Sequence, residues 1–220
     1  MKTNTYKDFI IDLANIPNIN SNPLHYVLNN KDILELNDDS LIMEFGVFSG
    51  TTINIIASNL EKHKIYGFDS WYGLPEKWDR NDMLFDKGHF SINGKKPDVL
   101  KNVLLIDGWF SKTLPEFISR NNKPIKFIHI DCDLYSSTKC IFDNLKFNIK
   151  NGCVIVFDEL VNYEGYQRNG ELKAFYEFVK NNNIEFKYLG MNGKIGDTGA
   201  EHEKVALKII SNKLYKKHAL

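Results

Sequence analysis

From residue 40 onward the chain alternates short runs of consecutive apolar residues with stretches of helical spacing, and this alternation constrains the fold more than any other feature. "LIMEFGV" (41–47), "KIYGFDS" (64–70), "VLLIDGWF" (103–110), "IKFIHIDCD" (125–133) and "CVIVFDEL" (153–160) read as strands. Their apolar residues are adjacent rather than alternating, as expected of parallel strands covered on both faces. Between them lie helical patterns at 51–62, around "TLPEFISRN", at 137–150 and at 170–182. Strand–helix alternation of this kind builds right-handed crossovers in an open α/β sheet. The first of these helices is expected to start on a threonine cap. Two further strands, "EFKYLGM" and "KVALKII", are joined by a Gly-rich segment without a helix, so they are expected to pair antiparallel.

Two regions stand outside the alternation. Residues 1–40 read as helices packed on the front of the sheet, with 23–36 carrying an apolar stripe at helical spacing. Residues 71–100 are long, polar and aromatic, and read as a lid segment. The aromatic residues Trp71, Tyr72, Trp78 and Phe90 either line a ligand pocket or pack the lid on the body.

The chain of 220 residues suits a single domain, and 28 basic residues balance 28 acidic ones. A zero net charge gives no reason to expect nucleic acid or an anionic membrane as partner. No apolar run approaches a membrane span, and the start lacks the apolar core of a signal peptide. Cys132, Cys140 and Cys153 form no disulfide or CxxC pattern, which fits a reducing, cytoplasmic setting.

In open α/β sheets, ligands bind beyond the carboxyl ends of the strands. Each parallel strand here ends in acid: Glu44 on the first, Asp69 on the second, Asp107 on the third, Asp131 and Asp133 on the fourth, Asp158 and Glu159 on the fifth. Helix capping accounts for one such acid, but not readily for five in series with two doublets. The turn after the first strand reads ExGxxxG (Glu44, Gly46, Gly50). A carboxylate beside that turn repels a pyrophosphate and favours a cation, which points to S-adenosylmethionine (SAM). Asp69 can then accept ribose hydroxyls, and Asp107 either reaches the adenine or caps a helix. Carboxylates gathered without a counter-charge repel one another. A hard divalent ion such as Mg²⁺ removes that cost, whereas a zinc site lacks its Cys/His ligands. His129, inside the fourth strand, reads as a satisfied core histidine. His89 is a weak substitute base, and the basic tail from Lys213 reads as solvated.

The segments "MEFGVFSGTT", "YGFDSWYGLPE", "GWFSKTLPEF", "HIDCDLYSST" and "VIVFDEL" together resemble the macrocin O-methyltransferase group, over about residues 40–210. The resemblance implies a class I SAM-dependent methyltransferase acting on sugar hydroxyls. It implies a Rossmann-like, doubly wound seven-stranded sheet of order 3-2-1-4-5-7-6 with the last strand antiparallel. It also implies SAM contacts from Glu44, Gly46, Phe48, Ser49, Gly50, Thr51, Asp69, Ser70, Asp107, Gly108, Trp109 and Asp131. Mg²⁺ would be held by Asp131, Asp158 and Glu159, and Asp133 would be the general base. The longer side chain of Glu159 stands where relatives often carry Asp. The expected partner is a small-molecule or carbohydrate acceptor, and homo-oligomerisation stays open. Three other readings remain: a catechol-type O-methyltransferase, a non-catalytic SAM-binding protein, and an NAD-dependent dehydrogenase, for which "YSSTK" matches a Tyr-x-x-x-Lys relay only formally.

Overall fold

The computed structural model describes residues 5–81 and 83–214. Its central sheet comprises β1 (Leu41–Phe45), β2 (Ile65–Asp69), β3 (Val103–Asp107), β4 (Ile125–Ile130), β5 (Ile149–Phe157), β6 (Glu185–Met191) and β7 (Val205–Ser211). They lie in the order 3-2-1-4-5-7-6, as the resemblance implied. The first five strands run parallel, and β7 pairs antiparallel with both β5 and β6. Every residue of β1 and β4 is buried, which explains their mostly apolar sequences; Glu44, Lys126 and His129 are the buried polar exceptions.

Helices cover both faces. α1 (Tyr6–Asp12), α4 (Phe110–Arg120), α5 (Tyr135–Leu145) and α6 (Glu171–Asn182) pack Phe9, Leu114, Phe142 and Phe175 against one side. α2 (Pro23–Asn29) and α3 (Thr51–Asn59) pack Leu24, Val27, Ile53 and Ile56 against the other. The first 40 residues therefore divide between the two faces instead of covering one. The stripe at 23–36 is not one helix. It breaks at Asn30 (φ −116°, ψ 51°) and resumes as a 3-10 turn over Lys31–Leu34.

Other boundaries also move. β4 ends at Ile130, so Asp131 and Asp133 lie beyond it, and Asp133 sits in the left-handed region (φ 64°). β5 begins at Ile149, before its apolar run, where its register against β4 is irregular. α3 starts from Gly50 (φ 84°), which has no side chain to cap it; the Thr51 hydroxyl pairs with that of Ser49, and the Thr52 hydroxyl donates to Glu44.

The segment 71–100 carries a small core of its own. Trp78–Asp79 and Leu84–Phe85 form an antiparallel ribbon, and Trp78 stacks on Phe85 at 5.1 Å. Leu74, Trp78 and Leu134 bury one another, while Trp71 is buried in the α2–α3 layer. Arg80 grips Glu203, just before β7, with bonds of 2.8 and 3.2 Å, and lies over the rings of Trp78 and Tyr163. Among the described residues, no helix is long and apolar enough to cross a membrane. Most of the basic tail lies outside the described residues.

Candidate active site

The strand order reverses between β1 and β4, which opens a crevice at their carboxyl ends. A cavity of about 480 Å³ lies there, within the range of small-molecule sites. Of the residues expected at a cofactor, Gly46, Phe48, Asp69, Ser70, Gly108, Trp109 and Asp131 line it. Asp133, Glu159 and, from the lid, Phe90 are also part of the wall. Among the described residues, no lysine, arginine or histidine does so.

Asp69 is fixed by backbone. Its Oδ2 accepts the N–H groups of Val47 and Phe48, each at 2.8 Å, and its Oδ1 accepts that of Trp71 at 2.7 Å. One carboxylate thus ties the loop after β1 to the loop after β2, with its remaining lone pairs at the cavity. Gly46 (φ 88°) has a structural reason as well. A Cβ there would lie 1.6 Å from the carbonyl oxygen of Asp131, so the close approach of β1 to the end of β4 already demands glycine.

Other expected residues lie elsewhere. Glu44 is fully buried behind the loop, where its Oε1 accepts the Thr52 hydroxyl at 2.8 Å. Ser49, Gly50 and Thr51 sit at the start of α3, outside the cavity wall. Asp107 is half-exposed and pairs with Lys96 at 3.2 Å. Of the aromatic candidates, only Phe90 faces the cavity; Trp71 and Trp78 pack the lid, and Tyr72 is exposed.

The carboxylates after β4 and β5 do converge. Asp131, Asp133 and Glu159 each bring an oxygen within 4.8 Å of the others, and Asp131 shares a second such group with His129 and Asp158. Asp131 is common to both groups, and Asp158 joins it with His129 rather than with Asp133 and Glu159. Asp158 is ion-paired to Lys204.

Burial, reinforced by the charge of Asp158, raises Asp131 well above the usual carboxylate range. The same two causes raise Asp133 to about 7, with Arg80 opposing them. Glu159 is pushed up by burial and by Asp131 and Asp133. Burial would also raise Asp158, but His129 and Lys204 outweigh it and hold that group low.

His129 is not a satisfied core histidine. Neither ring nitrogen makes a hydrogen bond, and Glu44 and Asp158 flank it at 3.4 and 3.8 Å. Burial disfavours its charge, yet the two acids raise its pKa to about 10. Glu171, the first residue of α6, adds a further buried carboxyl: its Oε1 accepts the Cys132 N–H at 3.4 Å, and its Oε2 has no partner among the described residues. Nothing in the sequence near Glu171 or Lys204 pointed to the cluster, because folding alone brings them there.

The fold and the crevice define a Rossmann-like enzyme of the kind that carries methyl groups. The chain belongs to the methyltransferase-domain family, whose pattern matches residues 43–160. Two solved structures share the fold. The calicheamicin methyltransferase CalS11 is 21% identical, with a TM-score of 0.64 over 83% of this chain and 77% of its own. The O-methyltransferase NovP is 19% identical, with a TM-score of 0.59 over 86% of this chain and 79% of its own. A second structure of CalS11 describes it as a TDP-rhamnose 3'-O-methyltransferase. No curated protein sequence matches the chain.

Proposed function

We propose that the protein is a SAM-dependent O-methyltransferase of the macrocin type that methylates a sugar hydroxyl with the help of a divalent cation. One observation carries this reading: the cavity at the strand switch point is lined by Asp69, Asp131, Asp133 and Glu159 and by no basic side chain among the described residues. Such a wall favours a sulfonium and disfavours the pyrophosphate of a dinucleotide. Gly46, Phe48, Asp69, Ser70, Gly108 and Trp109 form the cofactor half of the site, and SAM supplies the methyl group. CalS11, described as a TDP-rhamnose methyltransferase, supports a sugar acceptor.

The cation site fits the residues present. Glu159 Oε2 is buried without a partner, and three carboxyls crowd together with their protonation favoured. Asp131, Asp158 and Glu159 would hold Mg²⁺, which stabilises negative charge developing on an acceptor hydroxyl. Asp133 takes the proton of that hydroxyl on its carboxylate. Without the ion, burial and the charge of Asp158 raise its pKa to about 7; a bound cation would lower it and keep Asp133 in the carboxylate form that accepts a proton. In-line displacement makes positioning a large part of the rate, and the rigid backbone clamp on Asp69 provides it on one side. Phe90 and its neighbours in the docked 71–100 segment cover one side of the cavity.

The test is methyl transfer from labelled SAM to nucleotide sugars, other glycosides and catechols, with Mg²⁺ and with EDTA. Incorporation into a sugar that EDTA removes supports the proposal. Incorporation into catechols alone moves the acceptor class, and full turnover in EDTA removes the cation from the mechanism.

A further inference from the structure

Lys204 immediately precedes β7, and its ammonium pairs with Asp158 Oδ2. Both side chains are largely buried, at 18% and 16% exposure. An oxygen of Asp131 lies within 4.8 Å of one of Asp158, so the ammonium sits beside the carboxylates expected at the cation. The acids fall into two groups that share Asp131: one with Asp133 and Glu159, the other with His129 and Asp158.

We propose that Lys204 is a resident counter-cation that occupies Asp158 and competes with a divalent ion for that carboxylate. The inference rests on the cation reading above. A lysine head on a four-carbon stem can withdraw without backbone movement, so Asp158 is released when a doubly charged ion arrives. Lys204 is a positioning residue: it acts through Asp158. It keeps the ion-free protein from carrying an unbalanced acidic cluster, at the expense of affinity for the ion.

Mn²⁺ binding to the purified full-length protein, measured as loss of the free-ion electron paramagnetic resonance signal, tests this. Lys204→Met keeps the stem and removes the charge. It should bind Mn²⁺ about tenfold tighter than the parent, since one cation a few ångströms from a partly buried carboxylate contributes at least that much. It should also melt at a lower temperature in EDTA. Lys204→Arg grips a carboxylate with two parallel bonds and should bind Mn²⁺ no tighter than the parent. Equal or weaker binding by Lys204→Met, or tighter binding by Lys204→Arg, overturns the inference while leaving the cation reading intact. A parent protein that binds no Mn²⁺ overturns both. Should Lys204→Met fail to fold, Lys204→Gln replaces it with the same expectation.

Discussion

Arg80 and Glu203 lie 123 residues apart in sequence and meet through two hydrogen bonds of 3.2 and 2.8 Å. Glu203 is followed directly by Lys204, which holds Asp158. One short turn before β7 therefore anchors the lid with one residue and touches the acidic cluster with the next.

Arg80→Ala should loosen the lid. Removing one partner of a buried pair strands the other charge, at a cost of about 3 kcal/mol. Limited proteolysis should then cut within residues 71–100 of the variant at protease levels that spare the parent, and its melting temperature should fall.

Asp133→Asn should abolish turnover and leave SAM affinity near that of the parent, measured by titration calorimetry. Asparagine tolerates the left-handed conformation at this position (φ 64°). Because it removes one of several repelling carboxylates, the variant should also melt higher than the parent in EDTA at alkaline pH.

Without divalent ions, stability should fall as pH rises. Asp133 moves from an ordinary 3.8 to about 7 on folding, so the folded state binds its proton more tightly, and that advantage disappears as pH climbs through 7. His129, raised from 6.5 to about 10, loses its contribution over that higher range, in the same direction. Asp158 shifts downward and acts only below its ordinary 3.8. Melting temperatures in EDTA should therefore decline from about pH 5 to about pH 9. Mg²⁺ should flatten the decline, its stabilising effect growing with pH.

The two glycines of the first turn should respond differently to alanine. At Gly46 the new Cβ would fall 1.6 Å from a backbone oxygen that cannot move aside, so Gly46→Ala should cost about 4 kcal/mol or more, or fail to fold. At Gly50 the nearest atom is a ring carbon of Pro97 at 3.1 Å. Gly50→Ala should cost about 1–2 kcal/mol, mostly for its left-handed backbone. Denaturant unfolding measures both.

Strand positions and the strand-end acids were legible in the sequence because burial on both faces leaves consecutive apolar residues, and the first polar residue after each run marks its end. Side-chain direction was not legible. Glu44 and Asp69 look equivalent as strand-end acids, yet Glu44 points into the core towards His129 while Asp69 holds two loops together. His129 looked inert because its neighbours come from other strands: Glu44 on β1 and Asp158 after β5. The polar composition of 71–100 concealed a small core of Leu74, Trp78 and Phe85 that Leu134 completes from beyond β4.

Because β7 runs against its neighbours, it is its leading end, not its trailing one, that arrives at the mouth of the crevice. The connection between residues 192 and 202 can thus lengthen or change composition without disturbing any parallel crossover, provided Glu203 and Lys204 keep their places on Arg80 and Asp158. Remodelling that one surface hairpin would leave the cavity wall, built on the loops after the parallel strands and on the lid, as it is.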